Sequence, residues 1–416
     1  MANRARVIYQ SEALYAGTVD ATGYHFLTGN NAGDGVATDT AAVTKTGIQQ
    51  LHRVQSANYS FSVNRQDVNQ FGQLARIDSV SIEPPTVTLD FSYYLTNGFN
   101  EKTLGFNIGG TGTQALSEEL LLGKTADAGN PGGKNFFILT SAEGTDAVNN
   151  DTVTAADPLD NVNSTIALGN GFISNYSIEA AVGGMPTASV TVDGLNLRSY
   201  TGTRDLQNPA INTTYGIPVE GTNQFSLPPA VSGKDDDFTS VDGDAGIACL
   251  RPGDISLSLG TDGRAGAFEL LPSADPHQDY DARSAHIQSF SIDVPISRSV
   301  INRLGNPYGY AKVTDFPVNI SVSVSAILSD LKAGNVADFL FDQESHDLTF
   351  TMREPNVSGL GDKALEFTVK GARLEGESFS SSIGDNKSVD LTFTAQVGGT
   401  NDTTQGLFIS GAANNA

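Results

Sequence analysis

The sequence predicts a mainly β protein arranged as two tandem β-sandwich or barrel domains, each flanked by a short α-helix. Three observations carry the prediction. The composition is that of a sheet protein, with 44 glycines, 21 phenylalanines and 12 tyrosines but no tryptophan, and few stretches of helical periodicity. Apolar and polar residues alternate along Val87, Leu89, Phe91 and Tyr93, and again along Val318, Ile320, Val322 and Val324. Period two is the pattern of a strand with one buried face. The order of elements around these strands also occurs twice, and 416 residues is a length that calls for two domains.

Residues 57–95 and 286–328 each read as strand, long polar connection, strand. Phe61-Ser62-Val63 aligns with Phe290-Ser291-Ile292, Phe71-Gly72 with Leu304-Gly305, and Pro85 with Pro317. A first strand is expected at 6–15, its counterpart at 255–259. After the organising strands come helix candidates at 114–122 (QALSEELLL) and 328–341, then strands at 135–141 and 347–352. A hairpin closes each half, 171–181 with 188–195 and 364–380 with 388–397. Their turns, GGMPT and IGDNK, hold the glycine, proline and asparagine that tight reversals need.

The domains are therefore set at 1–197 and 251–416. Residues 198–250, with Pro209, Pro218, Pro228 and Pro229 and little alternation, read as an extended join. Polar stretches at 16–46, 125–134 and 143–164 read as surface loops or arms. The tail beyond residue 400 has one apolar patch, Leu407-Phe408-Ile409, either an edge strand or an arm docking on a neighbour.

Charge and chemistry exclude more than they select. With 24 Lys and Arg against 47 Asp and Glu, the net charge is −23. That argues against gripping nucleic acid phosphates and against docking on an anionic membrane. Cys249 is the single cysteine, so no intrachain disulfide forms, and a buried apolar role is expected for it. The N-terminal stretch lacks the apolar run of a signal peptide, and no stretch approaches the ~18 apolar residues of a membrane span. Synthesis and assembly in the cytoplasm are expected.

The histidines (His25, His52, His277, His286, His346) have no metal-ligand spacing. The glycine-rich 105–112 (GFNIGGTG) reads as a flexible loop, since no Lys-Ser/Thr follows it as in a phosphate cradle. Asp235-Asp236-Asp237 with Asp242-Gly243-Asp244 lacks the calcium-loop frame and reads as a solvated charge run. No catalytic, cofactor or metal site is expected, and the chain is not read as an enzyme.

A duplicated, acidic, β-rich chain with long polar loops suits an assembly subunit. Open sheets carry unpaired edges, and joining sheets edge to edge into a closed barrel removes them. Two fused copies would let three chains build a ring with six equivalent positions.

The order strand, long connection, strand, helix, strand, hairpin, present in both halves, resembles the tail tube proteins of tailed bacteriophages in their duplicated form. The resemblance implies two tail-tube-like domains, trimeric pseudo-hexameric rings stacked into a conduit for DNA, and a place in the virion tail. It implies lumen-facing positions at Thr88, Asp90, Ser92, Asn319, Ser321 and Ser323, which would otherwise be an ordinary solvated sheet face. It implies inter-ring loops at 64–76 and 293–312, carrying Arg65, Asp67, Arg76, Asp293, Arg298 and Arg303. Its implied partners are further copies of itself, tail-tip or baseplate, terminator and sheath proteins, and double-stranded DNA in passage. The alternatives are a tail completion, baseplate or decoration protein, or a carbohydrate-binding β-sandwich, against which the lack of tryptophan counts.

Overall fold

A computed structural model describes residues 12–18, 48–123, 133–141, 146–147, 163–203, 206–212, 217–218, 227, 230, 249–259, 287–309, 311–327, 345–354, 362–380 and 388–411. The protein is mainly β. The first half runs β1 (Glu12–Thr18), β2 (Ile48–Leu51), β3 (Val54–Ser62), β4 (Arg65–Val68), β5 (Asp78–Ser81), β6 (Thr86–Tyr94), α1 (Phe99–Leu104), α2 (Glu118–Leu122), β7 (Lys134–Thr140), β8 (Ser164–Ala181), β9 (Thr187–Gly194) and β10 (Asn196–Thr201). A small ladder of β11 (Ile211–Asn212) and β12 (Ile217–Pro218) follows. The second half runs β13 (Ile255–Leu259), β14 (Ile287–Pro295), β15 (Arg298–Ile301), β16 (Ala311–Thr314), β17 (Asn319–Ile327), β18 (His346–Arg353), β19 (Lys363–Ser380), β20 (Ser388–Gln396) and β21 (Gly406–Gly411).

Strand pairing follows one pattern in both halves. In the first, β3 pairs β6, β6 pairs β9, and β9 pairs the C-terminal part of β8. The N-terminal part of β8 pairs β7 and β10, and β7 pairs β1. In the second, β14, β17, β20 and β19 repeat the first series, and β19, β18, β21 and β13 repeat the second. Even the irregularities correspond. A bulge at Val54/Ser56 matches one at Ile287/Ser289, and a bulge at Ile173/Asn175 matches one at Leu374/Gly376.

These registers correct two of the sequence alignments. From β3 to β6 and from β14 to β17, every pair keeps the spacing that separates Val54 from Ile287, without a gap. The counterpart of Phe61 is therefore Val294, not Phe290, and the counterpart of Pro317 is Pro84, not Pro85. Phe71-Gly72 does match Leu304-Gly305. Both glycines sit at positive φ, 88° and 85°, at the tips of two hairpins whose preceding side chains are fully exposed.

The long strands β8 and β19 belong to two sheets each, which is how a sandwich is made from so few connections. The bend falls beside a left-handed residue, Asn170 (φ 52°) in β8 and Gly371 (φ 73°) in β19. Asparagine tolerates this region better than most residues, and glycine adopts it without strain. The halves are also joined to each other: residues 175–181 of β8 pair antiparallel with β14. The β3-β6-β9-β8-β14-β17-β20-β19 series is thus one continuous sheet, and one apolar cluster spans both halves, from Phe91 and Tyr176 to Phe350 and Phe393.

Residues of the expected join are packed in part. Arg198–Thr201 lie within β10, and Leu206, Leu227 and Ala230 cover Ala13, Tyr15, Phe137 and Leu139. Strand β7 is accordingly buried on both faces, and its centre, Phe136-Phe137-Ile138-Leu139, is continuously apolar, as double burial favours. In β18 the positions matching Phe137 and Leu139 are Thr349 and Thr351, and there the pattern alternates.

Some expectations lie outside the described residues: residues 6–11 of the first strand, the 328–341 helix, the acidic 235–244 stretch, the IGDNK turn, most of the three polar loops, and His25, His277 and His286. The tail patch is strand β21, paired with β19. Cys249 is half-exposed, its Sγ 3.7 Å from Sδ of Met185, so the expected burial does not occur. The predicted helix at 114–122 is confined to α2, where Ser117 accepts a hydrogen bond from the Leu120 amide.

Helix α1 carries a buried carboxyl into the core. Tyr93 Oη and Tyr176 Oη both donate to Glu101 Oε1, at 2.9 and 3.1 Å. Burial raises the Glu101 pKa, and the two phenol bonds, which favour the ionised form, offset only part of that. The folded state therefore holds this proton more tightly than the unfolded chain does. The resulting stability is full below the ordinary carboxylate value and is lost as pH rises through the raised one.

Glu101→Gln should keep both phenols bonded and abolish this part of the pH dependence. Glu101→Ala should cost about 2–4 kcal/mol by leaving two buried hydroxyls without an acceptor. Urea denaturation of the three proteins between about pH 4 and pH 8 checks both outcomes.

Candidate assembly interface

The candidate site is the polar face of the continuous sheet, with its two ends and the hairpins beside it. Strands β6 and β17 have the same alternation of burial, position for position. Val87, Leu89, Phe91 and Tyr93 point into the core, as do Ile320, Val322 and Val324. Thr88, Asp90, Ser92, Asn319, Ser321 and Ser323 all lie on the opposite, open face. The structure brings the two groups onto one surface, separated by β9, β8 and β14.

That surface is ruled in rows by the registers. One row runs Ser56, Ser92, Ser189, Ser177, Asp293, Ser321, Thr394, Arg373. Short side chains are held by their neighbours: Ser56 shares a hydrogen bond with Ser92 at 2.8 Å and Ser60 with Thr88 at 2.7 Å. Thr191 Oγ1 donates to Asp90 at 2.8 Å, and Thr394 Oγ1 donates to Glu375 at 2.7 Å. Carboxylates are spread over the face, at Asp90, Glu179, Asp193, Asp293 and Asp390. Glu179, Asp193 and Asp390 were missed in the sequence because only the strands after each proline were read for alternation. The same period-two pattern in the second part of β8, in β9 and in β20 would have found them.

The inter-ring positions are split by the structure. Arg65 and Asp67 are exposed on β4, and Arg76 binds Asp67 at 2.8 Å near the tip of that hairpin. An exposed pair of this kind contributes about 0–1 kcal/mol and serves to shape the tip. Arg303 lies in the matching tip, after β15. Asp293, expected in the connection, is in β14 on the open face, paired with Ser321 and Ser177.

Arg298 is the exception, because its hairpin docks on the first half. Its guanidinium donates to the Leu120 carbonyl at the end of α2 and to Thr314 Oγ1, and lies 5.3 Å from the Phe172 ring centroid. Lys312 Nζ stands over the same ring and 3.8 Å from Asp193. Burial lowers the pKa of both cations, that of Arg298 to about 10, and Asp193 draws them back up; Arg298 remains charged at neutral pH. The β15–β16 hairpin is thus clamped to α2, β8 and β9 of the other half. Its counterpart β4–β5 is exposed at every position but Ser79.

Among the described residues, no group of His, Cys, Asp and Glu is arranged to hold a metal ion, and no helix is long and apolar enough to cross a membrane. No protein-family model matches the chain, and no curated protein matches it.

Arg298→Ala should destabilise the protein by about 2 kcal/mol, since it removes charge-assisted hydrogen bonds from a mostly buried position. Arg65→Ala, at the exposed counterpart, should change stability by less than about 0.5 kcal/mol. Denaturant melts of the two variants provide the comparison, and faster amide exchange in α2 should accompany the first alone.

Proposed function

We propose that this chain is a structural subunit of a phage tail tube, built from two tail-tube-like β domains, and that three copies close into a pseudo-hexameric ring. The observation that carries the reading is the internal junction between β8 and β14. It joins two units of the same strand pattern side by side into one sheet, a head-to-tail contact of unlike edges. Such a contact repeats around a ring when the rotation closes. The sheet still has one unlike edge at each end, β3 and the C-terminal part of β19, which is what a repeating unit needs.

The open face supports the same reading. Apart from Arg373 at its β19 end, it carries mainly serine, threonine and carboxylate side chains, which form no cationic patch of the kind that holds phosphates. In the ring this face lines the bore, so that double-stranded DNA passes without adhering. The hairpin tips, with Phe71 and Leu304 fully exposed, supply apolar contacts for stacking one ring on the next. The subunit would then be assembled in the host cytoplasm, end in the virion tail, and meet tip, terminator and sheath proteins at the ends and outside of the tube.

Negative-stain electron microscopy across a concentration series is the test. Hollow tubes, or rings of three chains with six lobes, are the expected result. Rings that never stack would turn the reading to a completion or baseplate protein. Monomers that also fail to assemble on a purified tail tip would overturn it.

A further inference from the structure

The two halves of this chain contain their own control experiment. The positions of β3 that match Ile292, Val294 and Ile296 are Tyr59, Phe61 and Val63. In the second half all three are buried, at 0% exposure, because β8 covers that edge; in the first half they are 43%, 63% and 40% exposed. Matched apolar residues are buried where β8 lies beside the strand and exposed where no described strand does. Among the described residues, nothing pairs with the outer edge of β3 or with the outer edge of residues 373–380 in β19.

We infer that the outer edge of β3 is occupied by residues 376–380 of β19 from a second copy of this chain, in the register that β8 and β14 set inside one copy. This rests on the tube reading for its biological setting but on the internal junction for its geometry. In that junction Asp293 lies opposite Ser177 and Ile292 opposite Ile178. Matched bulges transfer the register without ambiguity: Ser60 of one copy faces Ser378 of the next, Tyr59 faces Phe379, and Ser62 faces Gly376.

The hydrogen-bond phase transfers too. The Ile296 amide donates to the Ser174 carbonyl at 2.8 Å, so the Val63 amide donates to the Glu375 carbonyl of the neighbour. Ser60 and Ser378 then form a non-hydrogen-bonded pair, in which the Cα atoms of an antiparallel ladder approach to about 4.5 Å. The closure covers Tyr59, Phe61 and Val63 and pairs both open edges, so it removes the exposed apolar strand and the unpaired backbone together.

The test is a cysteine pair in the full-length chain: Ser60→Cys with Ser378→Cys in a Cys249→Ser background. The spacing suits a disulfide. After mild oxidation, a non-reducing gel should show dimers and trimers, absent from either single variant and from a pair set one strand too far, Ser60→Cys with Asp390→Cys on β20. Electron microscopy of the same samples separates the two readings. Rings or tubes without the cross-link would overturn this junction and leave the tube reading standing. Cross-linked oligomers that never form rings would support the junction and count against the tube. A chain that stays monomeric and uncross-linked at every concentration would overturn the inference.

Discussion

The antiparallel pairing of β8 with β14 is the contact on which the rest of the structure depends. It turns two units into one sheet and one apolar cluster, and it buries the apolar side of β14. The pairing is available because β8 is long enough to serve two sheets. Its first part holds β7 and β10, its second holds β9 and β14, and the change of direction is made at Asn170 and the bulge after Ile173. A straight β8 would remain in one sheet and leave β14 without a neighbour.

That junction explains why the halves differ where their strand patterns agree. The first half is covered from outside by Leu206, Leu227 and Ala230, and the centre of its β7 is apolar on both faces. The second half carries Thr349, Thr351 and Thr368 in the corresponding layer, among which Thr349 and Thr368 share a hydrogen bond at 3.2 Å. The hairpins differ in the same way. Arg298 and Lys312 have Leu120, Phe172 and Asp193 to meet, whereas of their matches Arg65 is exposed and Ser79 half-buried. Sequence divergence between the halves therefore follows what each half packs against.

Much of this was legible in the sequence, because a strand with one buried face writes its environment at period two. The alternating strands, the closing hairpins and the β-rich class follow from that rule, and the polar residues of β6 and β17 fall on the open face as the alternation requires. Alignment of the halves was read less well. The likeness of Phe61-Ser62-Val63 to Phe290-Ser291-Ile292 is local and moves β3 out of phase by an even number of residues, which keeps the faces correct and so leaves no sign of error. Helix α1 was not seen at all. It is short, lies between two left-handed glycines, Gly98 and Gly105, and buries Asn100, Glu101 and Thr103 along with Phe99 and Leu104, so it has no apolar stripe to create a periodic signal. The packing of Leu206, Leu227 and Ala230 was missed for a related reason: isolated leucines and alanines in a proline-rich stretch have no period to read.

Covalent fusion changes what assembly has to accomplish. If single-unit subunits built a six-position ring, every junction would form between separate molecules, each with its own loss of translational and rotational freedom. In the proposed ring every second junction would be made within a chain, where the clamp of Arg298 and Lys312 on α2, β8 and β9 holds the two halves together. The angle between neighbouring units would then set the curvature. The same unlike-edge contact, formed at any other angle, would continue as an open helix and not close. Holding the internal junction rigid therefore biases the remaining ones toward closure, and the conserved strand pattern with a divergent hairpin base is what such a division of roles requires.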